Sequence, residues 1–160
     1  MNKSGELLLL LEILDQAYEK KAWHGTNLRG SIRGLTAREA AWRPARGRHN
    51  IWEIVLHAAY WKYTMRRRLR EEKRGSFPLK GSNWFTRPTE VTEKAWRSDI
   101  ALLDETHRSM RRAIETLNGN ELRTKAPGGT YTHATLIYGI ASHDLYHAGQ
   151  IQVIKRLLRK

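Results

Sequence analysis

The chain has 160 residues and no cysteine, and its 29 lysine and arginine residues against 16 aspartate and glutamate residues give a formal net charge of +13. Without cysteine, a disulfide framework, an iron–sulfur cluster, a thiolate zinc site and a cysteine nucleophile are excluded. A metal would therefore have to be held by histidine, carboxylate or amide groups. Hydrophobic residues make up 40% of the chain, as in globular proteins. From the length we expect one domain, residues 1–160.

The sequence gives no sign of a membrane segment. The longest apolar run, Leu7–Leu11, is far shorter than the roughly 20 residues that a membrane-spanning helix needs. Glu6 interrupts the N-terminus before a signal-peptide core could form, so we expect a cytoplasmic protein with no membrane partner. The positive charge bears on association rather than on fold.

Helical periodicity begins at the N-terminus. Ser4 is a suitable N-cap for a first helix, which loses its pattern at Lys20–Lys21. Its apolar face consists of Leu7, Leu10, Leu11 and Leu14. Two shorter helical pieces follow, one capped by Thr26 and ending near Gly34, and one with the capping-box spacing of Thr36–Glu39.

The second long helix has the clearest start signal. Asn50 stands three residues before Glu53, which is the spacing of a capping box. We expect this helix to run to about Arg74 and a long loop to extend from there to Pro88. Its outer face is predicted to carry Lys62, Arg66, Arg67 and Arg70.

Two further helices complete the pattern. The third is capped by Thr89 or Thr92 and stops at Asn118–Asn120. Its apolar residues are Trp96, Ile100, Leu103, Met110, Ile114 and Leu117. The fourth starts at Thr132, with a stripe at positions 136, 140, 143, 147, 150, 154 and 157. No alternating strand pattern occurs, so we predict an all-α, up-down four-helix bundle with a long loop between its second and third helices.

Three histidines are predicted to face the interior of this bundle. His143 and His147 are four residues apart on the stripe of the fourth helix, and His57 lies on the inner side of the second. Three imidazoles match the ligand set of a catalytic zinc-type site, which leaves one position open for water or substrate. The alternative is that they are hydrogen-bonded core residues. Imidazole suits several metals, so the ligands do not select one.

The other histidines carry weaker signals. His107 occupies a seam position of the third helix, which predicts either a core residue or a contact to a ligand or substrate. His24, His49 and His133 lie in a loop or at helix starts, where exposed or capping roles are expected.

Several residues flank the predicted ligands. Asp144 and Gln150 could hydrogen-bond a ligand ring, whereas Asp144 could equally be solvated. Glu53 is first a capping-box residue, with a catalytic role as the alternative. The aromatic residues within one turn of the ligands predict either core packing or a pocket lining; they are Tyr60, Trp61 and Tyr146.

Two stretches also resemble a known family. Trp42-Arg-Pro44 followed by His49 to Tyr63 resembles the second-helix signature of the DinB-like superfamily, and Ser142 to Ile151 resembles its last-helix signature. Similarity in order and spacing extends over essentially the whole chain. The resemblance implies an up-down four-helix bundle with a divalent metal held by His57, His143 and His147. Some relatives are S-transferases or isomerases that use bacillithiol, mycothiol or glutathione.

We therefore expect metal-dependent transfer of a low-molecular-weight thiol to an electrophile, with one ion per chain, zinc or nickel first and iron or manganese as alternatives. A metal-dependent hydrolase is the second hypothesis. Relatives are often homodimers, and Trp84 and Phe85 in the long loop suggest either a dimer contact or pocket and core packing.

Basic residues cluster in three runs. The densest comprises Arg66–Arg68, Arg70, Lys73 and Arg74; the others are Arg108, Arg111 and Arg112, and Lys155, Arg156, Arg159 and Lys160. Solvated helix faces are the main expectation. The alternatives are steering of an anionic small-molecule substrate, and a non-catalytic metal-binding module that binds nucleic acid, although the chain has no recognised DNA-binding module.

Overall fold

The computed structural model describes residues 4–159, whose regular elements are all helical. The four long helices are α1 (Gly5–Tyr18), α4 (Ile51–Leu69), α5 (Glu93–Glu115) and α6 (His133–Leu158). Shorter elements are α2 (Leu28–Ser31), α3 (Ala37–Ala41) and a 3-10 turn (Glu121–Arg123). This range contains no β-strand, and the predicted all-α four-helix bundle is confirmed. Lys160 of the C-terminal basic run lies outside the described residues.

Side chains cap most helices where the sequence predicted them. Ser4 and Thr132 accept backbone N–H groups of the first turns of α1 and α6, and Thr92 rather than Thr89 does so for α5. Both predicted capping boxes form, at Thr36–Glu39 and at Asn50–Glu53. The one wrong cap is Thr26: the adjacent Asn27 accepts from Gly30 N–H instead and starts α2.

α4 ends at Leu69, five residues before the predicted end at Arg74. Glu71 adopts a left-handed backbone conformation with φ 53°. The N–H groups of Glu71 and Glu72 turn back to the carbonyls of Arg68 and Arg67, which is the Schellman arrangement. Glycine is the usual residue at this position. Because a glutamate stands there instead, the sequence gives no signal that the helix ends.

The connection of residues 70–92 sets the directions of the helices. Trp52, near the start of α4, donates to Asp99, near the start of α5. Further along both helices, Lys62 of α4 and His107 of α5 contact the same Tyr18 ring. α4 and α5 therefore run parallel. α4 is antiparallel to α6, and α1 is antiparallel to α5. The direction therefore alternates from α1 to α4 and from α5 to α6 but not from α4 to α5, because the long connection returns the chain along the bundle before α5 begins.

The buried residues form two clusters. One surrounds Trp52 and Trp96 where α4 and α5 meet α2 and α3, and the other lies between α1, α6, Met65 and Met110. The predicted stripe of α6 is buried at positions 140, 147 and 154. The buried face is nevertheless turned relative to that stripe, because Ile137 and Ala141 are buried and Leu157 is exposed. Within residues 4–159, no helix is long and apolar enough to cross a membrane.

Candidate metal centre

Three imidazoles meet between α4 and α6. His57 Nε2 lies 3.1 Å from His143 Nε2, which lies 3.0 Å from His147 Nε2. One ring nitrogen from each histidine falls within 4.8 Å of the others. The antiparallel packing of α4 and α6 brings His57 opposite the pair, while the four-residue spacing aligns His143 and His147 on one side of α6.

The hydrogen bonds at the outer ring nitrogens fix the direction of the lone pairs. His57 Nδ1 donates to the backbone carbonyl of Asn83 over 2.9 Å, and His147 Nδ1 donates to Gln150 Oε1 over 2.7 Å. Both Nε2 atoms are then unprotonated. A single N–H on His143 Nε2 could satisfy only one of them. Converging lone pairs are the arrangement that a cation relieves, so these residues fit a metal ion.

Burial keeps the three rings neutral. Desolvation first, and then the neighbouring imidazoles, lower the pKa of His143 to about 3. Desolvation likewise lowers the pKa of His147 to about 4, and it lowers that of His57. A neutral imidazole is the form that binds a metal, so protons do not compete for these nitrogens near pH 7.

The connection between α4 and α5 contributes two residues that support His57. Trp84 stacks on the His57 ring with centroids 3.9 Å apart, and it also stacks on His49 at 3.6 Å. Asn83, whose φ of 64° turns its carbonyl toward His57, receives a hydrogen bond from Trp61 Nε1 on its side chain. The sequence did not indicate Asn83, since a backbone carbonyl has no residue signature. Trp84 was indicated only as a loop aromatic.

An open cleft of about 930 Å³ leads to the three histidines. Its walls are largely apolar, with Ile54, Trp84 and Val153 among them, and its polar groups include Arg48 and Gln150. A cleft of this size fits a small molecule, and a few polar groups on apolar walls can orient one.

A charged group centred on Glu53 adjoins the cleft through His49, which lines it. The Glu53 carboxylate receives two hydrogen bonds from Arg43, at 2.7 and 3.0 Å, and one from His49 Nδ1 at 3.0 Å. Burial alone would raise the pKa of Glu53, but these partners and the Asn50 N–H lower it. Glu53 therefore acts as the capping residue it was predicted to be, and it also holds His49, which is exposed as expected.

Asp144 and Lys62 are placed differently from the sequence prediction. Lys62 was predicted to lie on the outer face of its helix, yet its side chain is fully buried, and its Nζ contacts Asp144 Oδ2. Asp144 is also fully buried, which excludes the solvated alternative. Its partner is Lys62 rather than a ligand ring. The sequence did contain a signal for Lys62, because Val55, Ala58, Lys62 and Met65 continue one buried stripe at helical spacing.

The remaining predicted residues divide into core and surface. His107 is 2% exposed and stacks on Tyr18, in agreement with the core prediction. His24 is exposed as expected, whereas His133 is buried and bonds the Glu121 carbonyl through Nδ1. Of the flanking aromatics, Tyr146 lies at the cleft, Trp61 contacts His57, and Tyr60 packs among the aromatic residues of the long connection.

The fold and the site together define a class of protein: all-helical bundles with a three-histidine cluster between two of the helices. Residues 22–151 match the family model of the DinB superfamily, and the chain belongs to that superfamily. A crystal structure of a conserved protein from Enterococcus faecalis is similar over 98% of both chains, with a TM-score of 0.66 and 15% identity. At this identity the similarity establishes the fold alone. No curated protein sequence matches the chain.

Proposed function

We propose that this chain is a metal-dependent enzyme that binds one divalent ion through His57, His143 and His147. The observation that carries the proposal is the convergence of three Nε2 atoms at the end of an open cleft. Three protein ligands leave a coordination position for a small molecule, as in catalytic rather than structural sites. Zinc or nickel suits the imidazole set best, with iron or manganese as further candidates.

The reaction we propose is transfer of a low-molecular-weight thiol to an electrophile. A bound divalent ion would supply Lewis acidity that favours the thiolate over the thiol. The thiol proton passes to solvent, sulfur forms a bond to the electrophilic carbon, and the displaced group leaves with the bonding electron pair. The apolar cleft walls pack against the apolar parts of the reactants, while Arg48 and Gln150 can orient their polar ends.

The test combines metal analysis with turnover. Protein purified without a chelator or histidine tag is expected to contain about one divalent ion per chain, and to couple glutathione or bacillithiol to 1-chloro-2,4-dinitrobenzene. His57→Ala and His143→Ala are expected to lose both the ion and the turnover, while His24→Ala keeps both, because His24 is exposed. Ion-free protein, or equal turnover in all three variants, would contradict the proposal. Ester hydrolysis without thiol transfer would favour the hydrolase.

The arrangement of charges supports a small-molecule enzyme over a nucleic-acid module. Several arginines of the basic runs are already paired within the bundle: Arg66 with Glu72, Arg108 with Glu105, and Arg111 with Asp15. Such pairing reduces the positive field available to phosphates. A salt-dependent gel shift at micromolar protein would instead favour the binding module.

A homodimer stays a prediction, to be measured by light scattering at tens of micromolar protein. The two loop aromatics that suggested it pack within the chain. Phe85 is buried, and Trp84 stacks on His57.

A further inference from the structure

The groove between α4 and α6 continues past the three histidines. On the side of the C-terminal half of α6 lies the cleft described above. On the other side lies a smaller pocket of about 290 Å³, bounded by the C-terminal half of α4 and the N-terminal half of α6. His143 lines both cavities, so the histidine cluster sits where they meet.

Two glycines keep this groove open. Gly139 lines the smaller pocket and Gly149 lines the cleft, and both are inside α6. A Cβ added at either position would meet no atom within 4 Å, so packing does not demand glycine there. Glycine inside a helix is less favourable than alanine by roughly 0.5–1 kcal/mol. The sequence thus retains two destabilising residues where a side chain would fill the groove.

The wall of the smaller pocket is mainly apolar. Thr64 lines the pocket, is 6% exposed, and its Oγ1 makes no hydrogen bond to any residue between 4 and 159. Around it the walls are apolar, with Trp61, Met65 and Leu136 among them. The Thr64 oxygen exposes almost no surface, so a molecule in the pocket would meet mainly the apolar wall.

Positive charge lies at the outer end of the pocket. Arg68 lines it and also borders a neighbouring hollow of about 610 Å³, together with Arg67 and Arg74. Within residues 4–159 no carboxylate forms a salt bridge with these three arginines, although Glu71 and Glu72 line the same hollow and Glu72 pairs with Arg66. An anionic group would be favoured here.

We propose that this pocket binds a small molecule with an apolar ring or chain and one anionic end, oriented with the apolar part toward His143 and the anion at Arg68. The apolar part packs on Trp61 and Leu136. The inference rests on the proposed function in one respect only: the bound molecule would be the electrophile, delivered from the side opposite the thiol cleft.

The first test is calorimetric titration of metal-free protein with 2-naphthoate and with its neutral analogue, 2-naphthamide. We expect one naphthoate per chain and at least ten-fold weaker binding of the amide. Arg68→Gln should reduce naphthoate binding to the level of the amide, whereas Arg70→Gln, also exposed but outside the pocket lining, should not change it. Equal binding of the two compounds, or equal effects of the two arginine variants, would overturn the proposal.

The two glycines provide a matched pair of variants. Gly139→Leu should abolish naphthoate binding without lowering the melting temperature, since open space receives the side chain. Gly149→Leu makes the same substitution in the same helix but fills the cleft, and it should bind naphthoate as the wild type does. Loss of binding in both variants, or in neither, would overturn the assignment to this pocket. A separate zinc titration distinguishes the two hypotheses: naphthoate binding without zinc binding refutes the proposed function alone, and the converse refutes this inference alone.

Discussion

Lys62 and Asp144 form an ion pair inside the bundle from which solvent is excluded: Nζ lies 2.5 Å from Oδ2, and neither side chain exposes any surface. Burial lowers the pKa of Lys62 and raises that of Asp144, while their mutual attraction opposes both shifts. The pair joins α4 to α6, the helices that carry the three histidines. Asp144 follows His143 directly, so this contact helps to set the register in which His57 meets its partners.

Removing one member of the pair should therefore be costly. Lys62→Met leaves a buried carboxylate without its partner, and we expect the free energy of unfolding in urea to fall by about 3–5 kcal/mol. The double variant Lys62→Met/Asp144→Leu should recover most of this loss, because a buried pair replaced by apolar side chains is often neutral. A loss below about 1 kcal/mol in the single variant would show that the two charges are not coupled.

His107 should make stability depend on pH. Burial first, and then the charges of Lys62, Arg111 and Arg108, lower its pKa to about 2 from 6.5. The unfolded chain takes up a proton near pH 6.5 while the folded chain does not. The stability is thus complete above about pH 6.5 and falls toward pH 2, by at most about 1.4 kcal/mol per pH unit from this residue.

The measurement is urea unfolding with chelator present at pH 7, 6 and 5. His107→Phe retains a ring to stack on Tyr18 but cannot titrate, so its stability should vary less with pH than that of the wild type. His24→Phe, at an exposed position, should keep the wild-type slope. Identical slopes for wild type and His107→Phe would mean that the buried imidazole is protonated in the folded state.

Removal of metal should lower the melting temperature. An ion at 100 times its dissociation constant stabilises the folded state by about 2.7 kcal/mol, which corresponds to roughly 5–10 °C for a chain of this size. Chelator should produce this shift in wild-type protein and in His24→Ala, and no shift in His147→Ala. If His147→Ala responds to chelator as the wild type does, the ion is held elsewhere.

Gln150 should influence metal affinity without touching the ion. Its Oε1 receives the Nδ1 proton of His147 and so directs Nε2 toward the other histidines. Gln150→Leu is expected to weaken zinc binding by about 10–100-fold in a competition titration. Gln150→Glu, which still accepts this proton, should retain the affinity. Gln152→Leu is the matched control, since Gln152 bonds Thr26 on the surface. Equal affinities for the two leucine variants would remove Gln150 from the site.

Helix periodicity was sufficient to bring the three histidines together. The spacing of His143 and His147 and the inner side of the second helix depend only on local geometry, which a repeating pattern reports. The phase of α6 was less well predicted, because Leu136 and Leu157 helped to define its apolar stripe, whereas Leu136 is half-buried and Leu157 is exposed. His143 is at the border of the buried face, while Asp144 is at its centre.

Features that depend on the burial of charge or on loop conformation were not predictable in the same way. Lys62 lies close to a run of arginines, and this positive charge predicted an exposed face. The helical spacing, which places Lys62 inside, was the better guide. Asn83 and Trp84 reach His57 through a turn with positive φ, and Glu71 ends α4 in a conformation usually taken by glycine. Neither backbone conformation follows from residue type alone.

The long connection between α4 and α5 separates the three histidines into two parts of the chain. His57 belongs to the part before residues 70–92, and His143 and His147 belong to the part after them. A single cut in the exposed stretch around Arg74 and Gly75 would place one imidazole on one fragment and two on the other. Neither fragment could hold the three nitrogens alone. Metal binding through all three histidines would therefore require the two fragments to associate. Lys62 lies on the first fragment and Asp144 on the second, so their ion pair would also form across the association.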